Sequence, residues 1–192
     1  TLAAQLYSEF KQFFPNNHPG VPYLLHFENR MPKVREIVII ATMTALAVAG
    51  RGLFYFFPEV KPVSAIVIIT AVAFGREVGV ITGALAAFCS NFLMGQGPWT
   101  PYQMYAWAVI AFVAGTVYQK GLPRNRVGFS IFGSILVVLI YGFIMNGESI
   151  LFMGVHTIRG AIAVYMAGLP FDLIHGISTG IFLFLLYKPI LK

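Results

Sequence analysis

The chain has 192 residues, 58% of them hydrophobic and 10% charged, with a formal charge of +6. An average soluble domain carries about 25% charged residues, so a wholly water-exposed fold is excluded and an all-α integral membrane protein is indicated. The basic residues sit in short clusters between apolar stretches, which is the pattern of topogenic charge and not of a nucleic-acid surface. The lone Cys89 excludes an intramolecular disulfide, and no Cys/His cluster has metal-site spacing.

Residues 1–31 divide from the rest. Leu2, Leu6, Phe10, Phe13 and Phe14 share one helical face, the pattern of an amphipathic helix lying at a membrane surface; a loosely ordered tail is the alternative. Pro15, Pro19, Gly20 and Pro22 then read as a linker, and residues 32–192 as the membrane domain.

Within that domain the first span covers residues 34–56 and stops before Pro58. A shorter second helix, 63–74, opens after Pro62. The uncharged run that follows is too long for one span, and Gly95, Gly97, Pro98 and Pro101 divide it into helices at 78–94 and 102–119. Lys120, Arg124 and Arg126 form a basic loop before a fifth helix at 127–145. Residues 146–169 are only moderately polar and read as an ordered outer loop with a short helix, or as a seventh span. The last helix starts near Pro170, a favoured first helical position, and ends before Pro189.

Charge decides the span number. With six spans and both termini cytoplasmic, Lys11, Arg30, Lys33, Arg35, Arg76, Lys120, Arg124, Arg126, Lys188 and Lys192 lie inside, while Arg51, Lys61 and Arg159 lie outside. A seventh span sends Lys188 and Lys192 outward and buries Arg159, at about 2.5–3.5 kcal/mol on insertion scales. A six-transmembrane-helix bundle is the expectation.

Two features bear on function. Ala41, Ala45 and Ala49 form a small-residue ridge on the first helix, and Gly79, Gly83 and Ala87 form another on the third. Such ridges let helices approach closely in lipid, either inside the bundle or against a partner. Polar and aromatic groups concentrate toward the outer side: Gln96, Trp99, Tyr102, Gln103, Tyr105 and Trp107 at one hairpin, Asn146, His156, Arg159 and Tyr165 in the outer segment, and Asp172 and His175 one turn apart on the last helix. Trp and Tyr at this level serve as interfacial anchors. An ionisable pair inside an apolar span faces a cavity or a partner, or the two pair with each other. No phosphate-binding loop, zincin motif or nucleophile elbow is present, so neither enzyme nor ATPase chemistry is indicated.

Four stretches together resemble the substrate-binding S component of an energy-coupling factor (ECF) vitamin transporter. They are Ala41-Thr-Met-Thr-Ala45-Leu-Ala, Lys61-Pro-Val-Ser-Ala-Ile-Val-Ile, Asn91-Phe-Leu-Met-Gly-Gln-Gly-Pro-Trp-Thr-Pro-Tyr-Gln103 and Gly168-Leu-Pro-Phe-Asp-Leu-Ile-His175. The third is the most specific. The resemblance covers about residues 32–192 and implies the S-component fold in a prokaryotic cell membrane. It also implies a vitamin bound in an outward cavity and delivery by toppling on an EcfT-type membrane scaffold driven by two cytoplasmic ABC ATPases. Docking through the alanine motif falls by position on Ala41, Ala45 and Ala49; adding Gly79, Gly83 and Ala87 extends it by spacing. Among subfamilies the chain is most similar to the cobalamin type. Gln96, Trp99, Tyr102, Gln103, Tyr105, Asn146, His156, Arg159, Tyr165, Asp172 and His175 are then the expected ligand residues, with no cofactor or metal.

Overall fold

Six helices account for nearly all of the described chain. The computed structural model describes residues 33–121 and 125–191, so the expectations for residues 1–31 and for Arg124 lie outside it. The helices are α1 (Val34–Leu53), α2 (Val63–Phe74), α3 (Arg76–Met94), α4 (Trp99–Gln119), α5 (Arg126–Phe152) and α6 (Ile158–Leu191), and no strand occurs among the described residues. Four of them, α1, α3, α5 and α6, are long and apolar enough to cross a membrane.

Local chemistry sets the boundaries. Gly75, at φ 103°, separates α2 from α3 by a single residue, a conformation that side-chain-bearing residues rarely adopt. The two helices fold back so tightly that a Cβ on Gly79 would strike the backbone of Ala71. Gly95, at φ 104°, ends α3, and Pro98 stands at the start of α4. The Asn125 side chain accepts from Gly128 N at 2.6 Å and caps α5.

The segment 146–169 differs from expectation. It is neither an outer loop with a short helix nor a separate span, because α5 runs on to Phe152 and α6 has begun by Ile158. Thr157 starts α6 by accepting from Gly160 N at 3.1 Å, and Pro170 lies inside the helix. A proline forfeits one backbone bond, which neighbouring helices and local adjustment make tolerable in a membrane helix.

The bundle is apolar outside and partly polar inside. Val127, Ile131, Ile135, Leu139 and Phe143, each four residues from the last, are all exposed along α5, and Ile158, Ile162, Met166, Ile177 and Ile181 are exposed on α6. Exposed apolar surface on this scale belongs in lipid. α2 sits in the middle: Val63 through Ala71 are all buried, so this helix keeps no lipid face there. Around it pack α3, α4 and α6, joined by Trp107, Ile110, Phe129, Val137 and Leu183. The α5–α6 contact is close because Gly176 and Gly180 lie against Ser134 and Ser130.

α1 turns the stripe Ile40, Thr44, Ala47 and Arg51 inward. At about 100° per residue, Ala41, Ala45 and Ala49 lie on a different flank, and all three are exposed. The α3 ridge behaves otherwise. Gly79, Gly83 and Ala87 are buried, Gly79 against α2 and Gly83 with a built Cβ 2.9 Å from the backbone of Trp107. That ridge is consumed by packing within the chain, which corrects its assignment to partner docking.

Candidate functional site

The interior polar groups gather at the end of the bundle where α1 finishes, and every helix contributes to a ring of contacts there. Arg51 of α1 donates to Ser90 Oγ and, at 3.0 Å, to Asn91 Oδ1 of α3. Asn91 Nδ2 donates to Gln103 Oε1 of α4 at 2.9 Å, and Gln103 Nε2 to the Tyr141 hydroxyl of α5 at 2.7 Å. The Tyr141 ring meets His175 of α6 edge to face at 4.6 Å between centroids. His175 Nε2 is 2.8 Å from Ser64 Oγ of α2, which also accepts from Trp107 Nε1 at 3.0 Å. Above the Trp107 ring lies the Arg51 guanidinium, 5.1 Å from its centroid, which closes the circuit.

The direction of the hydrogen bonds follows from Arg51, which can only donate. Its bond fixes Asn91 Oδ1 as acceptor, and that orientation passes through Gln103 to Tyr141, whose own proton is left over. Two further ring atoms are buried with no hydrogen-bond partner: Arg51 Nε and His175 Nδ1. Unmet polar atoms in an apolar bundle carry a desolvation cost of about 1–3 kcal/mol each.

A loop, residues 54–62, closes this end. Glu59 has φ 58° and accepts through its carbonyl from Ser178 Oγ at 3.0 Å, while its carboxylate stands 3.6 Å from His175 Nδ1. Phe54 packs edge to face on Phe182. Burial pushes the Glu59 carboxyl above its ordinary range; Lys61 and Arg51 oppose this and Asp172 adds to it. Lys61 is shifted down, chiefly by burial, with Glu59 opposing and Arg51 adding.

Asp172 does not pair with His175. It accepts from Asn146 Nδ2 at 2.7 Å, in a space kept open by two glycines. A Cβ on Gly142 would lie 2.7 Å from the Asp172 carboxylate, and one on Gly168 would strike the Asn146 amide.

Of the eleven ligand residues expected from sequence, Gln103 and His175 belong to the ring and Asn146 and Asp172 to the adjoining pair. Gln96 joins through Thr100, which donates to it at 2.9 Å and accepts from Asn91 at 3.0 Å. Trp99 folds over Gly97 and is half exposed, Tyr102 packs edge to face with Phe152, and Tyr165 donates to the Phe143 carbonyl at 3.0 Å. Tyr105, His156 and Arg159 are exposed and share no described contact with the ring. Sequence reasoning missed Arg51, Glu59, Lys61, Ser64, Ser90, Asn91 and Tyr141 as site residues, and took Trp107 for an interfacial anchor although it is 1% exposed. The available signal was Asn91 itself, an amide in the last turn of a helix that carries no charge after Glu77.

A groove of about 340 Å³ between α5 and α6, lined by Ser130, Ser134, Ile177, Gly180, Ile181 and Phe184 among others, shares no residue with the ring. It lies on the apolar surface and has no chemistry of its own.

A family model described as Family of unknown function (DUF6580) matches residues 32–190, and the chain belongs to that family. No curated protein and no solved structure matches it.

Proposed function

We propose that the chain is the substrate-binding S component of an ATP-driven ECF vitamin importer, with six spans, both termini cytoplasmic, and cobalamin or a related corrinoid as its ligand. The observation that carries this reading is the ring of polar side chains, one or more from each helix, held inside an apolar shell and capped by residues 54–62. Such a ring is costly in lipid unless it meets something polar. Among the described residues, Arg76, Lys120, Arg126 and Lys188 stand at the helix ends away from the ring, which favours that end as cytoplasmic and turns the ring outward. Catalysis of ATP hydrolysis belongs to two partner ABC ATPases, reached through an EcfT-type scaffold that docks on the uncovered Ala41–Ala45–Ala49 ridge in the prokaryotic cell membrane.

Affinity purification of the tagged full chain from its native membrane tests the reading. It should bring down two ATPases and a second membrane subunit, and radiolabelled cobalamin uptake by cells should need ATP and fall with unlabelled cobalamin or cobinamide. Uptake by the purified chain alone in liposomes, without ATP, would instead establish a stand-alone secondary transporter and sink the S-component assignment.

A further inference from the structure

Arg51 is a buried cation without an ion-pair partner. It is 7% exposed, and its partners are a hydroxyl, an amide oxygen and the face of an indole. Among the described residues no carboxylate lies within ion-pair distance of it. Glu59 is directed at His175 instead, and Asp172 is held by Asn146. Removing a guanidinium from water without an anion costs several kcal/mol, and Trp107 and two neutral dipoles offset only part of it.

Two donors beside the guanidinium are unspent. Arg51 Nε–H has no acceptor, and the Tyr141 proton is left over because its oxygen already accepts from Gln103. His175 is not a third, because its Nδ1 faces the Glu59 carboxylate 3.6 Å away. Two surplus donors, one of them on a cation with no ion-pair partner, are complementary to an anion, and a guanidinium fork beside an amide matches the geometry of a carboxylate or phosphate.

We infer that Arg51 anchors an anion subsite, with Tyr141 as a further donor, and that the transported solute carries a carboxylate or phosphate group that enters it. This rests on the solute-binding reading above and narrows it: cobalamin meets the condition through its phosphodiester, and an alternative vitamin meets it through a carboxylate. Cobinamide lacks the phosphodiester and should therefore compete less well.

The test uses the purified full chain in neutral detergent at constant ionic strength, with benzoate, inorganic phosphate and the uncharged isostere benzamide as probes. Benzoate or phosphate should raise the melting temperature saturably by about 2–4 °C, with no shift from benzamide. Arg51→Gln should abolish the difference and Arg51→Lys should retain part of it. If Arg51→Gln does not fold, the benzoate–benzamide comparison on the unmodified chain still decides. Equal responses to benzoate and benzamide, or no response to any anion, would overturn the subsite. A response to phosphatidylglycerol in mixed micelles but to neither soluble anion would reassign Arg51 to a lipid headgroup and overturn the solute proposal. None of these readouts depends on partner subunits, so the subsite and the S-component assignment fail separately.

Discussion

Glu59 combines a left-handed backbone, a half-buried carboxylate and a position against His175. Its carboxyl is raised above the ordinary 4.5, so the folded state holds the proton more tightly than the unfolded chain does. The resulting stability is fully present below the unfolded value and is lost as pH rises through the folded one. Between about pH 5 and 7 the melting temperature should therefore fall in the natural chain and stay flatter in Glu59→Gln, measured by thermal melts across that range. A parallel slope in both proteins would place the titration elsewhere. Residues of the site differ in how plainly sequence announces them. Asn146 reads as part of the outer segment, whereas Asp172 and His175 stand out because polar atoms inside an apolar span must face something. Arg51 and Trp107 do not, because an arginine near a helix end and a tryptophan near a hairpin have ordinary roles at a membrane surface. Only the packing of α1 against α3 and α4 turns them inward.

At the scale of elements, the two small-residue ridges have the same spacing and opposite fates. Ala41, Ala45 and Ala49 face outward from α1, while Gly79, Gly83 and Ala87 are covered by α2 and α4. Ala45→Trp should leave the melting temperature of the isolated chain within about 1 °C and abolish capture of the scaffold subunit. Gly83→Val, forced against the Trp107 backbone, should destabilise the isolated chain by about 2 kcal/mol or more. Retained capture with Ala45→Trp would mean that this ridge meets only lipid. Spacing reveals that a helix can be approached closely and not by what, so the sequence could not separate the two. The same limit explains residues 146–169. Glu148, His156 and Arg159 gave that stretch the polarity of a loop, yet Glu148 is buried within α5 and His156 falls in the short turn before α6. Thr157 followed by Gly160 carried the true start signal, and Pro170 obscured it by offering another.

At the scale of the molecule, the apolar exterior and the six helical segments of the described residues were legible from hydropathy, turn residues and charge. The way the helices close on one another was not, since it depends on pairs such as Gly180 with Ser134 that lie far apart in the chain. Orientation remains a statement about charge, and it can be measured directly. With Cys89 replaced by alanine, His156→Cys should react with an impermeant maleimide on intact cells, and Lys120→Cys only after permeabilisation. Both positions are exposed and lie at opposite ends of the bundle. The reverse pattern would turn the polar ring toward the cytoplasm and remove the basis for import.

The central helix α2 has a consequence for biogenesis. Its 12 residues span about 18 Å, well short of a hydrocarbon core of about 30 Å, and one glycine ties it to α3. A segment that short has little hold on the bilayer by itself. It must enter the membrane as one arm of a hairpin with α3, and it acquires its surroundings only when α4 and α6 have been synthesised. α6, which is made well after α2, therefore completes its enclosure. Premature termination before α6 would leave Ser64 without His175 and α2 uncovered on one side.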